Sequence, residues 1–192
     1  MILTTGKIRI KIDFSFAAAL TWLIMKRPDY WLCFVCAFLH EAGHLCVILF
    51  CGEKISEISF LAFGARITRS GTLRLSYNSE IIAALAGPAV NILLCICFAL
   101  IPNESLKPAL YFNAGLAVFI LLPIIPLDGG RVLLFALSKS FDADTARKIC
   151  KKIAVAWLIP LATAGFVVII KSGYNFTLLA VSVYILFNLL KN

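Results

Sequence analysis

Residues 30–51 read YWLCFVCAFLHEAGHLCVILFC, with His40-Glu41-Ala42-Gly43-His44 near their centre. A helix crosses a bilayer with about 20 apolar residues, so this run is long enough to span. Its middle nevertheless carries three ionisable side chains, which are costly at membrane depth and survive there for a function. The two histidines are the only ones in the chain. Positions i and i+4 of an α-helix share a face and lie roughly 6 Å apart along the axis. Two imidazoles so placed can hold one metal ion, and the glutamate beside the first can reach a metal-bound water. Helix–helix hydrogen bonding by the same three side chains is the weaker account.

Working outward, the whole chain has the composition of this run. It has 192 residues, 61% of them hydrophobic and 15% charged, with mean hydropathy +0.96. Soluble domains carry about 25% charged residues, so the solvent this sequence expects is a bilayer. No Ser/Pro-rich linker, repeat or long polar block interrupts it, which predicts a single membrane-embedded domain over 1–192. Apolar runs at 14–25, 30–51, 81–102, 109–137, 153–170 and 174–190 predict an α-helical multi-pass protein of about six transmembrane helices. The last two form a C-terminal helical hairpin over 153–190, joined by Lys171-Ser172-Gly173. The run 14–25 is short, but Lys26-Arg27-Pro28-Asp29 follows it directly, with no small-residue cleavage site of a signal peptide.

The net charge of +8 is spread between the apolar runs. Six spans put thirteen Lys and Arg residues on one side (in 1–13, 52–79, 138–152 and the C-terminal end) and four on the other (Lys26, Arg27, Lys107 and Lys171). The positive-inside bias makes the first side cytoplasmic, with both termini there, in a cell membrane. No basic patch with interleaved aromatics lies on a soluble element, which argues against nucleic acid as a partner. Cys33 and Cys36 are one helical turn apart. Without a second such pair at zinc-like spacing they read as small buried hydrophobes.

Two cytoplasmic segments have a different period. Lys7-Ile8-Arg9-Ile10-Lys11-Ile12-Asp13-Phe14 alternates charged and apolar residues, as a half-buried strand does. Residues 54–76 contain short apolar stretches broken by Gly64 and Gly71, which predicts one or two hairpins. Together they predict a small β-sheet at the cytoplasmic membrane face. The edge of such a sheet is expected to accept an extended peptide by strand addition, with 55–62 the segment to probe for it.

A catalytic zinc has three protein ligands and one open position. Of the ten acidic residues, only Glu41 and Asp128 lie within predicted spans. Pro123 and Pro126 break the helix ahead of Asp128, and Gly129-Gly130 follow it, so a carboxylate can be presented from an unwound stretch. Such backbone occurs at membrane depth where it is buried in protein or lines a cavity. Asp128 is therefore the expected third ligand.

Three motifs in this order resemble the site-2 protease family of intramembrane zinc metalloproteases: His40-Glu41-Ala42-Gly43-His44, Ala86-Gly87-Pro88-Ala89-Val90-Asn91, and Leu121-Leu122-Pro123-Ile124-Ile125-Pro126-Leu127-Asp128-Gly129-Gly130. The resemblance covers a catalytic core region of 7–137 and is closest to the sporulation-type members, which cleave a membrane-tethered sigma-factor precursor. It implies Zn2+ as cofactor, His40, His44 and Asp128 as ligands, Glu41 as catalytic acid and base, and a membrane protein with a transmembrane segment as substrate. Family members often carry Asn just before the Leu-Leu-Pro stretch. Ile120 stands there in this chain, and Asn113, two helical turns upstream, is the candidate for that substrate-binding role. Two rival classes are an ion or metal transporter built on broken helices and a catalytically silent membrane binding partner. The first lacks an inverted repeat, and the second is disfavoured by the intact ligand and acid/base set.

Overall fold

The computed structural model describes residues 2–5, 8–14, 18, 21, 25, 31–61, 64–70 and 75–191. The chain divides into two compact units, Met1–Val118 and Phe119–Asn192. In the first unit, strands β1 (Ile2–Thr5) and β2 (Ile8–Ile12) precede helix α1 (Trp31–Phe50). Strands β3 (Ile55–Leu61) and β4 (Gly64–Arg69) follow it, then helices α2 (Tyr77–Leu100) and α3 (Lys107–Ile120). The second unit holds α4 (Asp128–Leu137), α5 (Ala143–Ser172) and α6 (Thr177–Lys191).

The strands form one sheet in the order β1-β2-β3-β4, with β2 and β3 parallel and the outer pairs antiparallel. The alternating segment 7–14 supplies β2, and 54–76 supplies the hairpin of β3 and β4. β1 went unpredicted, since Ile2-Leu3-Thr4-Thr5 is too short to show a period. The segment 55–62 is not itself an edge: β3 is paired on both sides, and among the described residues the sheet ends at β1 and β4. One irregularity sets which face of β3 is apolar. The register with β4 slips between Ile55 and Glu57, adding one residue to β3. Ile55 and Ile58, three apart, would face opposite ways in a regular strand; the extra residue turns both inward. They pack with Ile67 against Leu45, Val47 and Ile48 of α1 and Ala83 of α2.

Two ion pairs tie this layer together. Across β2 and β3, Lys11 Nζ meets Glu57 Oε2 at 2.9 Å, and this bond, with one from Ser59 at 2.8 Å, holds the Glu57 carboxyl below its ordinary pKa. At the end of β4 the Arg69 guanidinium grips both oxygens of buried Glu80, at 2.7 and 3.0 Å. That bond raises the pKa of Arg69. Glu80 lies in the first turn of α2, where the helix dipole favours an anion, after the N-cap Ser76.

The start of α1 packs with the end of α2 and the start of α3 around Cys33, Cys36, Ala109, Leu94 and Phe98. Its end meets the start of α2, so α1 and α2 run antiparallel. They approach closely because residue 43 is glycine: a Cβ there would come 2.8 Å from Val90 Cγ2 and 3.0 Å from the Ala86 carbonyl. Large apolar side chains such as Phe38, Leu93, Ile96, Ile159 and Phe187 face outward. Such a surface suits lipid, not water.

Among the described residues, α1, α2 and α5 have the length and hydropathy to span a membrane, and α6 is a shorter apolar helix. The expected span 109–137 is two helices, α3 and α4, separated by 121–127 with a cis Ile125–Pro126 bond. Most of the expected first span, 14–25, lies outside the described residues. Of the stretch 138–152, Ala143 onward belongs to α5, with Asp142 as N-cap accepting from Thr145 N at 3.0 Å, which lowers the Asp142 pKa. In the second unit Ile124 is fully buried among Ala154 and Leu158 of α5 and Ile185 and Leu189 of α6. Gly173, at φ 76°, closes α5 in the left-handed conformation that permits the turn into α6.

The Arg69–Glu80 clamp yields a test. Replacing Arg69 with Met leaves a buried carboxylate without its donor and should cost about 1.5–3 kcal/mol, typical of a charged hydrogen bond. The double change Arg69→Met with Glu80→Leu should recover part of that loss. Denaturant unfolding of the purified variants checks both; strictly additive losses would show that the pair contributes no coupling.

Candidate metal centre

The buried face of α1 is Cys33, Cys36, His40, His44 and Ile48, a stripe at helical spacing. His40 and His44 are only 4% and 6% exposed. Their rings stand nearly perpendicular, 4.7 Å apart at the centroids, and their Nε2 atoms face each other at 3.1 Å. A tetrahedral zinc with Zn–N bonds of about 2.0–2.1 Å sets two nitrogens about 3.3–3.4 Å apart. The pair is thus nearly at the spacing of two ligands of one ion.

Their other nitrogens are held by α2. His44 Nδ1 donates to the Ala83 carbonyl at 2.7 Å, across 39 residues of sequence. That bond fixes the tautomer and leaves the Nε2 lone pair for a metal. His40 Nδ1 lies 3.0 Å from Asn91 Nδ2, 51 residues away. Between these two contacts sits Gly87, where a Cβ would overlap His44 Nε2 and lie 2.7 Å from His40 Nε2. Ala83, Gly87 and Asn91 recur every four residues, so one stripe of α2 holds the imidazoles from behind while leaving room at their tips. Pro88, beside Gly87, has no N–H for the Ala84 carbonyl and loosens the helix at this level. This arrangement fits a zinc ion: outward nitrogens anchored, inward ones convergent, and a glycine where a side chain would fill the space.

Glu41 follows His40 on α1 and is half-buried. In the second unit, Asp128 is the first residue of α4, after the N-cap Leu127. It is buried, with Arg131 Nη1 at 3.7 Å from Oδ1. The segment 121–127 folds back onto the start of α4, where a Cβ on Gly129 would overlap the Leu121 carbonyl and one on Gly130 the backbone of Ile124. Only glycine allows that approach, so Gly129-Gly130 is what lets a carboxylate begin a helix here. Asn113 is fully buried in α3, its amide donating to the Ala109 carbonyl of its own helix at 2.7 Å. The sequence marks Asn91 only as the last residue of the motif 86–91. Its signal was available, as a polar side chain in mid-span one turn beyond Gly87.

A family model described as Peptidase M50B-like matches residues 14–141. Among similar proteins, one named zinc metalloprotease, from Methanocaldococcus jannaschii, is 30% identical over 183 residues, covering 85% of this chain and 50% of the relative. Stage IV sporulation protein FB of Bacillus subtilis is 26% identical over 155 residues, covering 76% of this chain and 54% of that protein. The chain therefore spans about half the length of these relatives. Among solved structures, a site-2 protease from Methanocaldococcus jannaschii matches with a TM-score of 0.65 and 26% identity, over 100% of this chain and 94% of that one.

The glycine between the two imidazole contacts can be tested directly. Gly87→Ala should push the rings apart and lower zinc content at least about 10-fold, in the range of losses caused by disturbing the groups behind metal ligands, while helix content stays unchanged. Elemental analysis alongside far-UV circular dichroism checks this; full zinc in a folded Gly87→Ala protein would refute the role given to the gap.

Proposed function

This chain belongs to the peptidase M50B-like family, the site-2 proteases, and we propose that it is an intramembrane zinc metalloprotease cleaving a peptide bond in or near the transmembrane segment of a membrane protein. The observation that carries the reading is the imidazole pair, with Nε2 atoms 3.1 Å apart. We take the three residues expected from the sequence, His40, His44 and Asp128, as the zinc ligands: two nitrogens and a carboxylate oxygen are a donor set that leaves a fourth position for water or substrate. Bound there, zinc supplies a Lewis acid and a water acidic enough to react near neutral pH. Glu41 takes the proton from the attacking water and returns it to the leaving amine. A spanning substrate satisfies its own backbone bonds as a helix, so it must unwind locally before a peptide bond is open to attack. Release of a membrane-tethered transcription factor is the form of this activity we favour, supported by the likeness to a sporulation protein. Cleavage of a panel of single-pass membrane peptides would test it.

Replacing His40, His44 or Asp128 with Ala should remove most bound zinc, and Glu41→Gln should keep zinc while lowering turnover about 10²–10⁴-fold, the usual contribution of acid–base catalysis. Zinc analysis and cleavage of a reconstituted single-pass substrate read the two effects separately. Full zinc in Asp128→Ala would mean that another group is the third ligand.

The same reading places the chain in the cell membrane with six passes and both termini cytoplasmic, from the thirteen-to-four division of basic residues. Single cysteines at 60 and 145, in a background without native cysteines, should resist an impermeant reagent added to intact cells. Labelling at either position would reverse the topology.

A further inference from the structure

Helix α5 is longer than the apolar core of a bilayer. Its 30 residues rise about 45 Å, and a hydrocarbon layer takes up only about 20 residues of helix. The apolar run 153–170 fills that thickness, so residues 143–152 continue as helix into the headgroup layer. They carry Arg147, Lys148, Lys151 and Lys152, all exposed. At about 100° per residue these four fall within about 140° of the helix circumference. The opposite side, with Ala146, Cys150 and Ala154, is buried. Setting the orientation of a span requires only that positive charge lie outside the apolar run; the helix adds a common face.

Cations elsewhere are matched with carboxylates: Lys11 with Glu57, Arg69 with Glu80 and Lys107 with Glu104. None of the four on α5 has an ion pair among the described residues. The nearest acids in sequence, Asp142 and Asp144, stand at the end of the helix away from the apolar run, and Asp142 is engaged by the Thr145 N–H. The charged face passes directly into an apolar one. Lys148, Lys152, Val155, Ile159, Phe166 and Ile170 follow one side of α5 at helical spacing, every one of them exposed. Charge gives way to hydrocarbon between Lys152 and Val155, over about 5 Å of rise. A complementary ligand is anionic at one end and apolar at the other, in the order of a phospholipid standing in the bilayer. An acidic polypeptide would match the cations alone.

We propose that this face of α5 is a binding site for anionic phospholipid, its phosphate held by Lys148 and Lys152 with Arg147 and Lys151 beside them, and its acyl chains along Val155, Ile159 and Phe166. The lysine stems lie over apolar surface while their ammonium groups stay at the level of the phosphate. Each basic side chain near an anionic membrane surface contributes roughly a 5-fold factor in association. The proposal rests on the membrane placement of α5 and does not involve the zinc site.

Replacing Trp22, Trp31 and Trp157 with Phe and Ile159 with Trp leaves one reporter on this face, about 10 Å beyond Lys152. With the full chain reconstituted in vesicles of phosphatidylcholine and phosphatidylglycerol, quenching by brominated acyl chains reads which lipid occupies the face. Brominated phosphatidylglycerol should be preferred at least about 5-fold over brominated phosphatidylcholine. Most of that preference should vanish in Lys148→Gln with Lys152→Gln. Removing the same charge from two other exposed sites, in Lys54→Gln with Lys171→Gln, should leave it intact. Equal quenching by both lipids, or equal loss of preference in the two double variants, would overturn the proposal. Salt provides a measurement that needs no lysine variant: the preference should weaken between low salt and roughly 0.5 M, where surface charges are screened. A preference indifferent to salt rejects the site even if a variant does not fold. Binding of polyglutamate without any lipid preference would assign the face to an acidic protein instead, and would likewise reject it.

Discussion

Everything at the candidate centre depends on two imidazoles being kept polar and paired inside an apolar helix layer. A bilayer offers no water to satisfy a stray donor, so each ring nitrogen needs a partner from the protein. Helix α1 alone cannot supply them, because its own backbone groups are bonded along the helix. The partners come from α2: the Ala83 carbonyl for one ring and the Asn91 amide for the other, 39 and 51 residues away in sequence. The histidine pair and the α1–α2 contact are thus a single structural requirement. Gly43 lets the helices meet, and Gly87 leaves the imidazole tips their space.

α2 also connects this centre to the sheet. Its first turn carries Glu80, gripped by Arg69 at the end of β4. One turn later Ala83 packs with Ile48 and Ile55 while its carbonyl receives His44. The sheet, the end of α1 and the start of α2 therefore share one small apolar cluster. The clamp and the His44 anchor thus lie one turn apart on the same helix.

The second unit is organised by its irregular segment. Pro123 and Pro126 withdraw two backbone donors, and the segment is anchored by Ile124, buried between α5 and α6. The fold-back onto Gly129 and Gly130 leaves Asp128 at a helix start, where the dipole favours its charge and Arg131 lies one turn on. A carboxylate in an apolar region is thereby stabilised locally, by helix geometry and a cation three residues away.

The sequence by itself determined whatever depends on neighbours within a turn or two. The i, i+4 placement of His40 and His44, the break before Asp128 and the strand period of 8–12 are local properties of the chain, and all were legible. A six-span count was read from charge and hydropathy, whereas the structure describes three helices of spanning length and divides 109–137 into two. Single-residue offsets and long-range pairings needed the tertiary structure. The extra residue in β3 turns Ile58 inward against the simple alternation, and β3 becomes an interior strand because β2 reaches it across the whole of α1. The tautomer of His44, the space at Gly87 and the bond to Asn91 arise only where α1 and α2 pack. No period in either helix encodes them, because hydrogen bonds between distant segments are fixed by how faces meet, not by spacing along the chain.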